Sequence, residues 1–114
     1  MNLQERDRAV NWHPYTQMKT ADDAIPILKG KGVYLFDDKG NKYIDAVSSW
    51  WVTLHGHAHP YIAQRVSEQL HTLEQVIFAG FTHEPAIQLS ENLLKLLPQN
   101  QKKVFYSDNG STAV

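Results

Sequence analysis

A chain of 114 residues with 42% hydrophobic and 11% aromatic content is long enough to fold around a modest core. Eleven basic against twelve acidic residues leave a formal charge of −1 without a basic run, which argues against nucleic acid as a partner. The absence of cysteine excludes a disulfide framework and a thiolate metal site; with no apolar run of bilayer length and no apolar segment behind the charged N-terminus, the expectation is a soluble, unexported, cytoplasmic protein.

The first 24 residues are polar, show no sustained period and read as an irregular arm carrying an aromatic cluster at Trp12-His13-Pro14-Tyr15. Residues 25–28 and 32–36 are short, apolar and rich in β-formers. Asp37-Asp38-Lys39-Gly40-Asn41 then supplies turn chemistry before a third such stretch at 42–47, so a hairpin or small antiparallel meander is expected. Residues 48–54 continue as extended chain through the adjacent Trp50 and Trp51, which alternation would place on opposite faces.

Gly56 breaks that run, and Pro60 fits the first turn of a helix. Ile62, Val66, Leu70 and Leu73 recur at helical spacing, which predicts an amphipathic helix. Residues 76–81 are apolar and interrupted by Gly80. A second helix follows, with Thr82 as candidate cap, Pro85 near its start, a stripe of Ala86, Leu89, Leu93 and Leu97, and Pro98 as its stop. Residues 103–106 have the character of a buried strand that feeds a turn at Ser107-Asp108-Asn109-Gly110-Ser111-Thr112. A strand of that kind needs neighbours and a covering helix, so the chain reads as part of a larger α/β fold.

Three groupings carry chemistry. In the segment 106–112, Gly110 allows close backbone approach, the amides at a helix opening point at an anion, and the hydroxyls of Ser111 and Thr112 add donors. The same residues equally suit an ordinary connection capped by Asp108 or Ser111. Trp50, and Tyr15 in the arm, suit either a pocket wall or packing. His55, His57 and His59 alternate and would share one side of an extended strand, a spacing compatible with a metal ion. Gly56 and Pro60 end that geometry and no carboxylate or thiol lies within the segment, so no metal site is assigned.

Taken in order, Trp12-His13-Pro14-Tyr15-Thr16, Asp45-Ala46-Val47-Ser48-Ser49-Trp50-Trp51, His55-Gly56-His57-Ala58-His59-Pro60, the stretch from Phe78 to Ala86 and Ser107-Asp108-Asn109-Gly110-Ser111 resemble the class III aminotransferases, and within them the branch serving biotin biosynthesis. Thr112 departs from the acidic residue that many members of the class carry after Gly-Ser. The resemblance implies an α/β fold of the fold-type I transferases that depend on pyridoxal 5'-phosphate. Residues 1–55 would be the arm and meander of the small domain, and residues 56–114 the opening of the large coenzyme-binding domain with two helices and its first strand. It further implies that Gly110 and Ser111 hold the coenzyme phosphate and that Trp50 and Tyr15 wall the substrate pocket.

The implied reaction moves an amino group from S-adenosylmethionine to 8-amino-7-oxononanoate in a homodimer, with the stretch from Phe78 to Pro85 near the subunit interface. The Schiff-base lysine and the carboxylate at the pyridine nitrogen belong to the family's later sequence. None of the chain's lysines stands in the lysine's context, so no catalytic residue is assigned and the segment alone is expected to be inactive.

Overall fold

The computed structural model describes residues 1–114, which form two compact units, Met1–Glu68 and Gln69–Val114.

The first unit opens with α1, Leu3–Val10. Asn2 Oδ1 accepts the Glu5 amide at 2.8 Å and Glu5 Oε2 accepts the Asn2 amide at 2.9 Å, a reciprocal capping box. This corrects the expectation of an arm without helix. Gln4 Nε2 donates to the Ala24 carbonyl at 3.1 Å and Arg8 pairs with Asp23 at 3.1 Å, so the helix is tied to the segment that leads into the sheet.

That sheet is antiparallel in the order β1-β2-β3, with β1 Ile27–Lys31, β2 Tyr34–Asp37 and β3 Lys42–Ile44. Tyr34 faces Lys31 on one side and Ile44 on the other, and an irregularity in β1 falls between Ile27 and Lys29. The expected meander is therefore present, shifted by a few residues. Asp37 is the one buried residue, and it closes the β2–β3 turn by accepting from the Lys39 and Asn41 amides, Asn41 Nδ2 and the Tyr43 hydroxyl at 2.7–2.9 Å. Burial works to raise its pKa, but the donors from Asn41, Tyr43 and Lys39 outweigh it and leave the carboxyl below its ordinary range.

Residues 48–54 are not extended. α2, Ser48–Trp51, is a single turn with left-handed dihedrals, and α3, Pro60–Thr72, begins at the expected proline and runs across the division between the units. The Ile62, Val66, Leu70 stripe of α3 is half-exposed, and no hydrophobic side chain of the protein is buried.

In the second unit, α4 covers Glu84–Leu96, with Pro85 in its first turn and Leu97 as C-cap. The N-cap is His83 in extended conformation and makes no side-chain capping bond, which corrects the assignment to Thr82. Residues 103–106 form no strand, since no partner strand is present to share their backbone bonds. Tyr106 instead reaches α4: its hydroxyl donates to the Ala86 carbonyl at 2.9 Å, lies 2.8 Å from Ser90 Oγ, and its ring meets Phe78 edge-on at 5.7 Å. Phe105, next to it, is 94% exposed. The chain ends in α5, Gly110–Ala113. No helix is long and apolar enough to cross a membrane.

Candidate functional site

The two residues expected to wall a substrate pocket come together in the first unit. The rings of Tyr15 and Trp50 are 6.2 Å apart and 16° from parallel, and Trp51 stacks on Trp50 at 5.9 Å. Trp50 and Trp51 are thus neighbours in one stack, not residues on opposite faces. The stack stands open: Tyr15 is 98% and Trp50 67% exposed. Two clefts of about 340 and 410 Å³ lie elsewhere in this unit, and neither is lined by Tyr15 or Trp50.

Each ring is presented by a left-handed turn. Tyr15 has φ 58°; Trp12 Nε1 donates to the Thr16 carbonyl at 3.2 Å and the Thr16 hydroxyl to the His13 carbonyl at 2.6 Å, closing the turn that carries it. His13 Nε2 lies 2.7 Å from Asp7 Oδ2 and Asn11 Nδ2 donates to Asp7 Oδ1 at 2.8 Å, fastening that turn to α1. Those bonds, Asn11 first and His13 next, hold the Asp7 carboxyl below its ordinary pKa.

The second turn is less common. Ser48, Ser49, Trp50 and Trp51 all have φ between 48° and 70°. For residues with a Cβ this costs about 1–2 kcal/mol each. Asp45, directly after β3, supplies the compensating bonds: its Oδ2 accepts the Ser49 amide at 2.8 Å and the Ser49 hydroxyl at 2.9 Å, and His57 Nε2 lies 2.7 Å away. The Ser49 amide and then His57 pull the Asp45 pKa down, so the group is a carboxylate and His57 Nε2 carries the shared proton. Sequence reading missed this pair, and the signal for it was the alternating histidines read as a metal spacing. Gly56 (φ 80°) and Ala58 (φ 51°) break the alternation; His57 turns to Asp45, the rings of His55 and His59 meet edge-on at 6.2 Å, and no cluster of three metal-ligating side chains forms.

Gly110 and Ser111 lie in the second unit, as the first two residues of α5. The N-cap is Asn109, not Asp108 or Ser111: its Oδ1 accepts the Thr112 amide at 3.1 Å, and Thr112 Oγ1 accepts the Asn109 amide at 3.2 Å. Thr112 thus fills the reciprocal position of a capping box, where a longer acidic or amide side chain is the usual partner. The cap uses the third helical amide and leaves the first two, those of Gly110 and Ser111, aimed out of the helix start. Neither a positive φ nor crowding accounts for the glycine, because a Cβ at 110 would meet nothing of this chain within 4 Å. Two outward amides, a hydroxyl and an open approach suit the phosphate of a coenzyme, which is anionic and accepts at every oxygen.

Comparison with known proteins identifies the family. Residues 16–114 match the family described as aminotransferase class III. The adenosylmethionine-8-amino-7-oxononanoate aminotransferase of Synechococcus elongatus is 52% identical over 103 residues, covering 90% of this chain and 24% of that protein. The enzyme of the same name from Staphylococcus aureus is 43% identical over 114 residues, covering 98% and 25%. Among solved structures, adenosylmethionine-8-amino-7-oxononanoate aminotransferase from Methanocaldococcus jannaschii superposes with a TM-score of 0.89 at 39% identity, covering 98% of this chain and 26% of that one. An omega transaminase from Pseudomonas jessenii in complex with PMP gives 0.88 at 31%, covering 99% and 26%. The chain spans about a quarter of the length of these relatives. With the match running through all but the first fifteen residues, this chain belongs to the class III aminotransferases, and its fold is the N-terminal part of a fold-type I transferase.

Proposed function

We propose that this chain is part of an aminotransferase of biotin biosynthesis, which moves an amino group from S-adenosylmethionine to 8-amino-7-oxononanoate and yields 7,8-diaminononanoate. The observation that carries this furthest is the near-parallel stack of Tyr15 and Trp50. A long aliphatic keto acid needs an apolar aromatic wall for its chain and a hydroxyl for a polar end, and these two residues supply both.

Pyridoxal 5'-phosphate, when bound, supplies the electron sink that makes amino-group transfer possible. Gly110 and Ser111 hold its phosphate by their amides, with the Ser111 hydroxyl as a third donor, and so fix the coenzyme's position without forming a bond to the reacting atoms. Tyr15 and Trp50 align the substrate and exclude water from its aliphatic part. No residue of this chain is assigned a proton-transfer or nucleophilic role.

In this reading residues 1–55 belong to the small domain and residues 56–114 open the coenzyme-binding domain. The whole enzyme is a cytoplasmic homodimer in which the stretch from Phe78 to Pro85 lies near the subunit interface. Assay of the full-length enzyme with S-adenosylmethionine and 8-amino-7-oxononanoate tests the function, the expected result being 7,8-diaminononanoate. A second reading, another class III ω-aminotransferase, draws on the likeness to the Pseudomonas jessenii omega transaminase. Turnover with simple ω-amines and none with 8-amino-7-oxononanoate would favour it.

A further inference from the structure

We infer that Asp45 and His57 are positioning residues for the substrate wall: they hold residues 48–51 in the left-handed turn and thereby fix the Trp50 ring against Tyr15. The inference rests on the assignment of Tyr15 and Trp50 to the pocket.

It begins with the backbone. None of Ser48, Ser49, Trp50 and Trp51 is a glycine, yet all four take a conformation that glycine alone adopts without steric cost. Such a run persists only where its surroundings over-determine it. Three donors converge on one carboxylate oxygen of Asp45, two of them from Ser49 in the middle of the run.

The pair is itself anchored at the turn between β1 and β2. The Asp45 amide donates to the Val33 carbonyl at 2.9 Å, and His57 exchanges two backbone bonds with Gly32 at 2.8 and 3.0 Å. A Cβ on Gly30 would lie 2.5 Å from His57 Cβ, so β1 leaves the room that the imidazole occupies. A chain of contacts therefore runs from the β1–β2 hairpin to the carboxylate, the left-handed turn and the aromatic ring. With side chains only 10% and 15% exposed, Asp45 and His57 act through the turn and not by touching substrate.

The test uses the full-length holoenzyme. Asp45→Ala is expected to raise KM for 8-amino-7-oxononanoate about tenfold while kcat falls less than about threefold and coenzyme content is unchanged. The circular-dichroism couplet of the stacked Trp50–Trp51 pair, identified by its loss in Trp51→Phe, should vanish as well. Asp45→Asn, which retains an acceptor oxygen, should keep the couplet. Adding Ser49→Gly to Asp45→Ala should restore most of both signals, because glycine holds the left-handed conformation unaided. A parental couplet and KM in Asp45→Ala, or a loss that Ser49→Gly does not recover, overturns the inference. Should Asp45→Ala fail to fold, recovery of soluble enzyme in the double variant supports it, and no recovery counts against it. If Trp50→Ala leaves KM unchanged, the pocket assignment fails, and the couplet then decides alone whether Asp45 holds the turn.

Discussion

Tyr15 and Trp50, the residues proposed to meet the substrate, share a backbone state that most side chains avoid, and each is held there by bonds from residues outside the pocket. Strain of this kind survives where geometry matters more than local stability. Trp50→Ala in the full-length enzyme is expected to raise KM for the keto acid by about tenfold or more with coenzyme retained. Gly110→Val should do the reverse, weakening coenzyme affinity by a similar factor because a branched Cβ fills the open approach. Equilibrium titration with pyridoxal phosphate and steady-state kinetics separate the two, and normal turnover with weakened coenzyme binding in Trp50→Ala would remove Trp50 from the pocket.

Protonation acts at the same scale. Asp45 has a folded pKa below its unfolded value of about 4, so its stabilising contribution is fully present above that value and is lost as pH falls through the folded pKa. The stability difference between the parent enzyme and Asp45→Asn should therefore shrink as pH falls below about 4. Denaturant unfolding at a series of pH values reads this directly, and a difference that persists undiminished well below that value would contradict the assignment of Asp45 as a carboxylate.

Among the elements, β1 matters because Gly30 lets His57 reach Asp45. Gly30→Ala places a methyl group against the His57 Cβ and should cost about 1–3 kcal/mol by overpacking, measured as a lower denaturant midpoint. Much of this level was legible in the sequence. Asp37-Asp38-Lys39-Gly40-Asn41 is turn chemistry, and the meander formed around it. Pro60 followed by Ile62, Val66 and Leu70 is a helix signature that local rules suffice to read. α1 was legible too, in Asn2 and Glu5 three residues apart, but the five consecutive polar residues from Gln4 to Arg8 mask that signal.

The left-handed turn was not legible. Ser-Ser-Trp-Trp contains no glycine and has the propensities of a strand, and the contact that overrides them joins Asp45 to His57, twelve residues on. The strand expected at 103–106 fails for a complementary reason: sheet formation is a property of pairs, and its partners are not in this chain.

At the scale of the whole molecule, the apolar stripes of α3 and α4 are half-exposed, Phe105 and Trp51 are open to solvent, and no hydrophobic side chain is buried. Burial of apolar surface is the main source of cooperative stability, so these 114 residues expressed alone should unfold without a sharp thermal transition and bind hydrophobic dyes. A sigmoidal calorimetric transition of the isolated segment would contradict that. The proposal that this chain supplies the grip on the coenzyme phosphate draws on the family relation, the open glycine at 110 and the two amides at the start of α5. A crystal structure of the full-length enzyme with pyridoxal 5'-phosphate tests it most directly. The account predicts phosphate oxygens about 3 Å from the amide nitrogens of Gly110 and Ser111; a phosphate bound elsewhere, with both amides turned to solvent, would contradict it.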